Sequence, residues 1–283
     1  GACFFSQRMN QLTCNARYMD EVERVLYNNV LTGVSLSGDK YTYQNPLNTD
    51  KPDRWEWHVC PCCPPMFLKI MAAMPGYIYA YQGDNVYVNL FIGSEVRVPV
   101  GKSNSVRLKQ LTSYPWHGAV SIQVNPDKAS TFSMKVRIPG WAQGTENPYD
   151  LYQSNLKAPV KLKVNQEDVL LRIVDGYAEI NREWKKGDHI ELELPMQPRL
   201  ITANKAVENL RGQVALASGP IIYCFEDADN PELQTFKLQA QTPLELSHDS
   251  NLLNGVNIIK CQGDIPAKAI PYYAAVSYTH LRA

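Results

Sequence analysis

The sequence predicts a multi-domain α+β protein in which helices come first and two antiparallel β-sandwich units follow. Three observations carry this expectation. Apolar residues recur at three- and four-residue spacing over Phe4–Leu31. After Gly76 the texture changes to short alternating runs separated by turn residues. Nowhere do strands alternate with helices as in βαβ winding, and no repeat of fixed period is present. With 283 residues the chain exceeds one typical domain and can bury a sizeable core.

The elements follow in order. Phe4, Phe5, Met9 and Leu12 predict a first helix ending at the Cys14-Asn15 turn. Tyr18, Val22, Val25, Leu26 and Val30 predict a second, with Asp20, Glu21 and Arg24 on the opposite side. Gly33, Gly38, Pro46 and Pro52 then break a loop running from Thr32 to His58. A third helix is expected from Pro64 to Met74, stopped by Pro75-Gly76. Strands are predicted at Tyr77–Tyr81, Val86–Ile92, Glu95–Val98, Val106–Leu111, Val120–Val124, Phe132–Ile138, Val160–Val164, Val169–Ile173 and Ile190–Leu194. In one of them Phe132, Met134, Val136 and Ile138 share a face, and Ser133, Lys135 and Arg137 share the other. A softer boundary at Pro195–Pro198 precedes a second β unit with strands at Val214–Leu216 and Ile221–Phe225.

Charge and composition exclude some functions. Twenty-eight basic residues cancel 28 acidic ones, so the electrostatic footprint of a general nucleic-acid binder is missing. The longest uncharged apolar stretch, Ile70–Gly83, is broken by Pro75-Gly76 and falls short of the roughly 18 residues a membrane span needs. No charged start followed by an apolar segment marks a signal peptide. Sixteen Tyr and five Trp against seven Phe suit a sugar-binding surface, but since many lie in strand-like runs the half-buried sheet is the favoured reading.

The chemistry concentrates in Cys60-Pro61-Cys62-Cys63-Pro64-Pro65. Seven cysteines, an odd number, argue against a simple disulfide framework. Pro64 and Pro65 suit the first turn of a helix. Cys62 and Cys63 therefore sit at or just before a helix N-terminus, where free amides and the macrodipole favour a thiolate. Such a thiolate serves as metal ligand or nucleophile. A closed zinc knuckle would need a second cysteine pair of matching spacing, which the sequence lacks. Cys3 and Cys14 read as buried small hydrophobes, and Cys224 and Cys261 stand too far apart to form that pair. His58 is either a partner of the cluster or a plain loop histidine, and His117, His189 and His248 read as structural.

These residues carry a resemblance. Phe4-Phe5-Ser6-Gln7-Arg8-Met9, Glu23-Arg24-Val25-Leu26-Tyr27-Asn28, Leu36-Ser37-Gly38, Tyr43-Gln44-Asn45-Pro46-Leu47 and Cys60–Pro65 stand in one order. Downstream come Gly76-Tyr77-Ile78-Tyr79, Tyr87–Ile92, Tyr114-Pro115-Trp116 and Arg137-Ile138-Pro139-Gly140-Trp141. Together they resemble the β-L-arabinofuranosidases of glycoside hydrolase family 127 and the related family 146. The resemblance implies the final helices of an (α/α)6 barrel over residues 1–75, followed by β-sandwiches at 76–195 and, incomplete, 196–274. It implies a retaining glycosidase acting on L-arabinofuranose or a related pectin-type sugar of plant glycans. Cys62 would be a zinc-bound nucleophile, Cys63 a further zinc ligand, and Glu23 and Tyr43 substrate-binding residues.

The family's Glu-x-Cys motif and its acid/base Glu lie upstream of Phe4-Phe5. The chain taken alone is therefore expected to be inactive and to hold Zn2+ poorly. Residues 275–283 depart from the family's ending and read as a non-native tail. A carbohydrate substrate is the expected partner, with a homodimer left open. Reduced or metal-bound thiols are compatible with a cytoplasmic or periplasmic bacterial protein. The alternative function is a carbohydrate-binding or structural β-sandwich module without catalysis.

Overall fold

The computed structural model describes residues 1–35, 37–42, 62–147, 150–233 and 235–275. The protein is a mixed α+β molecule, mostly β-sheet, that divides into two compact units. Unit 1 comprises residues 1–23, 73–150 and 156–196, and unit 2 comprises 24–72, 151–155 and 197–283. Among the described residues no helix is long and apolar enough to cross a membrane.

Helix α1 spans Ala2–Thr13 and ends at Cys14, whose φ of 52° is left-handed. Helix α2, Arg17–Val25, starts where the Asn15 side chain accepts a hydrogen bond from the Arg17 amide at 3.1 Å. It continues without a break into a π-helical turn, Leu26–Val30, and a 3-10 turn, Leu31–Gly33. Helix α3 covers Cys63–Ala73. It ends just before Pro75-Gly76, as expected, and Pro75 opens a further turn, α4, Pro75–Ile78.

Two sheets build unit 1. Five strands run in the order Tyr79–Gln82, Asn85–Val88, Ser130–Arg137, Tyr177–Trp184, Ile173–Val174. Within this sheet Asn85–Val88 lies parallel to Ser130–Arg137, with Val86 opposite Met134, which corrects the all-antiparallel expectation. The second sheet orders Ser94–Val100, Asn104–Thr112, Ala119–Pro126, Asp188–Glu193, Lys161–Val164 and Glu167–Asp168, all antiparallel. Val86, Val88, Phe132, Met134, Val136 and Trp184 from the first sheet, and Val106, Leu108, Ile122, Val124 and Ile190 from the second, fill the core. Burying each such side chain stabilises by roughly 1.5–3 kcal/mol. The turn at Gly176, with φ of 81°, lies so close to the α1–α2 link that a Cβ there would stand 2.6 Å from Ala16 Cβ.

Among the described residues, the strands of unit 2 join in one seven-stranded antiparallel sheet. Its order is Leu244–Asp249, Val256–Gln262, Pro266–Pro271, Ile221–Phe225, Val214–Ser218, Arg199–Ala203, Tyr152–Ser154. The last strand comes from inside the 76–195 segment: Ile201 pairs with Ser154 and Ala203 with Tyr152.

Candidate functional site

Cys62 and Cys63 open α3, with both thiols exposed and their Sγ atoms 3.8 Å apart. Pro64 and Pro65 occupy the first turn, where their missing N–H groups leave no intrahelical bond unmade. A tetrahedral zinc with Zn–S bonds of ~2.3 Å sets two sulfurs about 3.8 Å apart, so the observed pair fits one edge of such a site. Among the described residues no group of three or more His, Cys, Asp or Glu side chains converges as a metal site would require. The pair by itself offers two sulfur donors, where a tetrahedral zinc takes four. Cys60, His58 and Tyr43 lie outside the described residues.

Beside α3 the chain turns back at the end of the α2 region. Val34 bridges Tyr41, the Ser35 amide donates to Lys40 O at 2.8 Å, and the Thr42 amide donates to Gly33 O at 3.2 Å. Gly33 faces Phe67 of α3 so closely that a Cβ on it would lie 3.4 Å from the ring. Burial, and then the negative charges of Cys63 and Cys62, push the Tyr41 phenol above its usual range.

Glu23 belongs to unit 1 and is 1% exposed. Its carboxylate is ion-paired with the fully buried Arg137 guanidinium. Tyr114 donates its hydroxyl to Glu23 Oε1 at 2.7 Å, and the Trp141 indole donates to Oε2 at 3.3 Å. Arg137 also donates to Asp20 Oδ1 at 2.6 Å and to Asn89 O at 2.5 Å. Burial opposes the charge on Arg137, but Glu23 and Asp20 outweigh it and hold the proton more tightly than usual. Burial raises Asp20 in turn against the lowering by Arg137, and the Glu23 charge adds to the rise. A polar chain continues from Asn89 Oδ1, which accepts from Tyr177 at 2.7 Å, to Asn10, which donates to the Tyr177 oxygen at 2.9 Å.

Sequence reasoning places Arg137 on an outer strand face with Ser133 and Lys135. The structure buries Arg137 fully and Ser133 almost fully, and Asp20 and Glu23 of α2 meet the Arg137 guanidinium on that side. A cation at the end of an alternating strand, followed by Ile-Pro-Gly-Trp, is the signal available for this network. The remaining histidines make local contacts: His248 bonds Asn257 at 3.0 Å, and His189 stands 3.7 Å from Glu191.

Among the described residues, most of the large tyrosine and tryptophan rings of the sheets pack in the core. Tyr87, Tyr114, Trp141, Tyr177 and Trp184 are buried, and Tyr81 is 57% exposed. A groove of about 710 Å³ runs over Glu95, Lys109, Thr112, Ser113 and His117, with no Tyr, Trp or Phe in its lining.

Comparisons with known proteins cover nearly the whole chain. The family model described as Beta-L-arabinofuranosidase, GH127 catalytic domain, matches residues 1–76. The GH127 middle domain matches 85–196, and the Glycoside hydrolase family 127 C-terminal domain matches 198–277. Among curated proteins, the non-reducing end beta-L-arabinofuranosidase of Bifidobacterium longum subsp. longum is 31% identical over 93% of this chain and 40% of its own length. A solved GH127 beta-arabinofuranosidase superposes with a TM-score of 0.90 at 35% identity, over 97% of this chain and 46% of that one. A GH127 beta-L-arabinofuranosidase from Geobacillus stearothermophilus gives 0.87 at 33% identity, over 98% and 47%. The chain thus spans 40% of the curated relative's length and under half of the two solved chains.

Proposed function

Because the chain belongs to glycoside hydrolase family 127, we propose that Cys62 is the nucleophile of a retaining glycoside hydrolase releasing L-arabinofuranose, or a related pectin-type sugar, from plant glycans. The observation that carries this reading is the exposed Cys62–Cys63 pair at the N-terminus of α3. The Cys62 thiolate attacks the anomeric carbon, and a C–S bond forms as the glycosidic C–O bond breaks. The leaving oxygen takes a proton from a carboxylic acid, which the family resemblance places upstream of residue 1. Water then displaces the sulfur, gives its proton to that carboxylate and frees the thiolate, so that two inversions retain configuration. Cys62 and Cys63 would hold a zinc ion, whose positive charge would keep the thiols ionised. The α3 macrodipole acts in the same sense.

Tyr43 and Glu23 complete the proposal as sugar-site residues. Glu23 already serves three donors, so its substitution reads out in stability as well as in KM. The decisive experiment is Cys62→Ser in the full-length protein, assayed on a chromogenic β-L-arabinofuranoside. Turnover falls by at least about 10³-fold while substrate still binds. Unchanged turnover overturns the assignment.

A further inference from the structure

Tyr41 is only 8% exposed, yet its hydroxyl makes no hydrogen bond among the described residues. Native folds rarely leave a buried hydroxyl unmatched, since its desolvation goes uncompensated. The surrounding backbone holds the ring in place. The Val34–Tyr41 bridge fixes one side, and Thr42 Oγ1 donates to Thr32 O at 3.0 Å on the other. Gly33 packs on Phe67, one helical turn beyond Cys63, which sets this hairpin beside the start of α3.

We propose that the Tyr41 hydroxyl is a specificity-determining group of the cysteine site, donating a hydrogen bond to an oxygen of the sugar whose anomeric carbon meets the Cys62 sulfur. The inference rests on the function proposed above. A buried hydroxyl left unpaired without sugar and satisfied with it penalises ligands that lack the matching oxygen, the arrangement that gives polar sites their discrimination. The same hydroxyl makes the sugar-free protein less stable than it would be with a phenylalanine ring there.

The test compares the full-length protein with its Tyr41→Phe variant. Each is treated with N-bromoacetyl-L-arabinofuranosylamine and with iodoacetamide, and Cys62 labelling is followed by peptide mass spectrometry. In the variant the half-saturating concentration of the sugar reagent rises roughly three- to tenfold, the size of one neutral hydrogen bond. The iodoacetamide rate stays the same, and the urea midpoint without sugar stays level or rises. If the sugar reagent does not saturate even with Tyr41 present, the glycosidase reading fails and this inference falls with it. If it saturates equally in both proteins, the glycosidase reading stands and the role of Tyr41 is overturned. If both reagents slow together in the variant, the hydroxyl acts on the thiol rather than the sugar, which also overturns the proposal.

Discussion

Arg137 holds two carboxylates, Asp20 and Glu23, while fully shielded from water. Removing one partner of such a group leaves a buried charge underpaired, which typically costs 3–5 kcal/mol. Glu23→Ala should therefore lower the unfolding free energy by an amount of that order, read as a fall in the urea midpoint. A carboxylate serving only as a sugar contact would leave the midpoint unchanged. A second residue-scale prediction concerns pH. Burial, then Asp229 and Asp227, push Glu226 up from 4.5 to about 7, against a smaller opposing effect of Lys268. The folded protein keeps a proton that the unfolded chain releases between those values. The stability this contributes is fully present below pH 4.5 and is lost as pH rises through about 7. Solvent screening of this partly exposed group limits the loss to roughly 1–2 kcal/mol. Denaturant midpoints at pH 5 and pH 8 should differ accordingly, and Glu226→Gln should flatten the difference.

At the scale of elements, the π-helical turn Leu26–Val30 places Asn28 against the seven-stranded sheet. Asn28 accepts from the Ile222 amide at 2.7 Å and donates to Pro220 O at 2.8 Å and Arg24 O at 2.9 Å. One side chain thus stands in for a missing strand at the start of Ile221–Phe225. Asn28→Ala should cost about 2 kcal/mol and speed hydrogen exchange at the Ile222 amide specifically. Periodicity finds α1, α2 and α3 because each shows an apolar stripe or a proline start. It does not find the strand Tyr177–Trp184, since Arg182 and Glu183 interrupt the alternation, although this strand pairs along all of Ser130–Arg137. Nor does it separate α4 from the strand after it, because Tyr77 and Ile78 suit either state. The thiol pair is legible from spacing alone. Tyr41 is not, because its significance lies in hydrogen bonds it fails to make.

For the whole molecule, the two units are threaded by a chain that passes between them five times, after residues 23, 72, 150, 155 and 196. Sequence texture draws boundaries at 75 and 195, where composition changes, but compactness follows long-range pairing instead. Tyr152–Ser154 joins the sheet of unit 2 through Arg199–Ala203, which no local pattern encodes. A segment cut at 76–195 would keep Arg137 but lose Asp20 and Glu23. It should unfold at clearly lower urea than residues 1–196, as circular dichroism would show. Residues 197–283 alone would lack the Tyr152–Ser154 edge and Asn28, and should aggregate. The Arg137–Glu23 pair joins a residue matched by the catalytic-domain model to one matched by the middle-domain model. Chimaeras spliced from two relatives at residue 80 would therefore inherit the two charges from different parents. Only pairs of parents that agree at both positions can exchange these modules freely, so the ion pair acts as a lock on recombination.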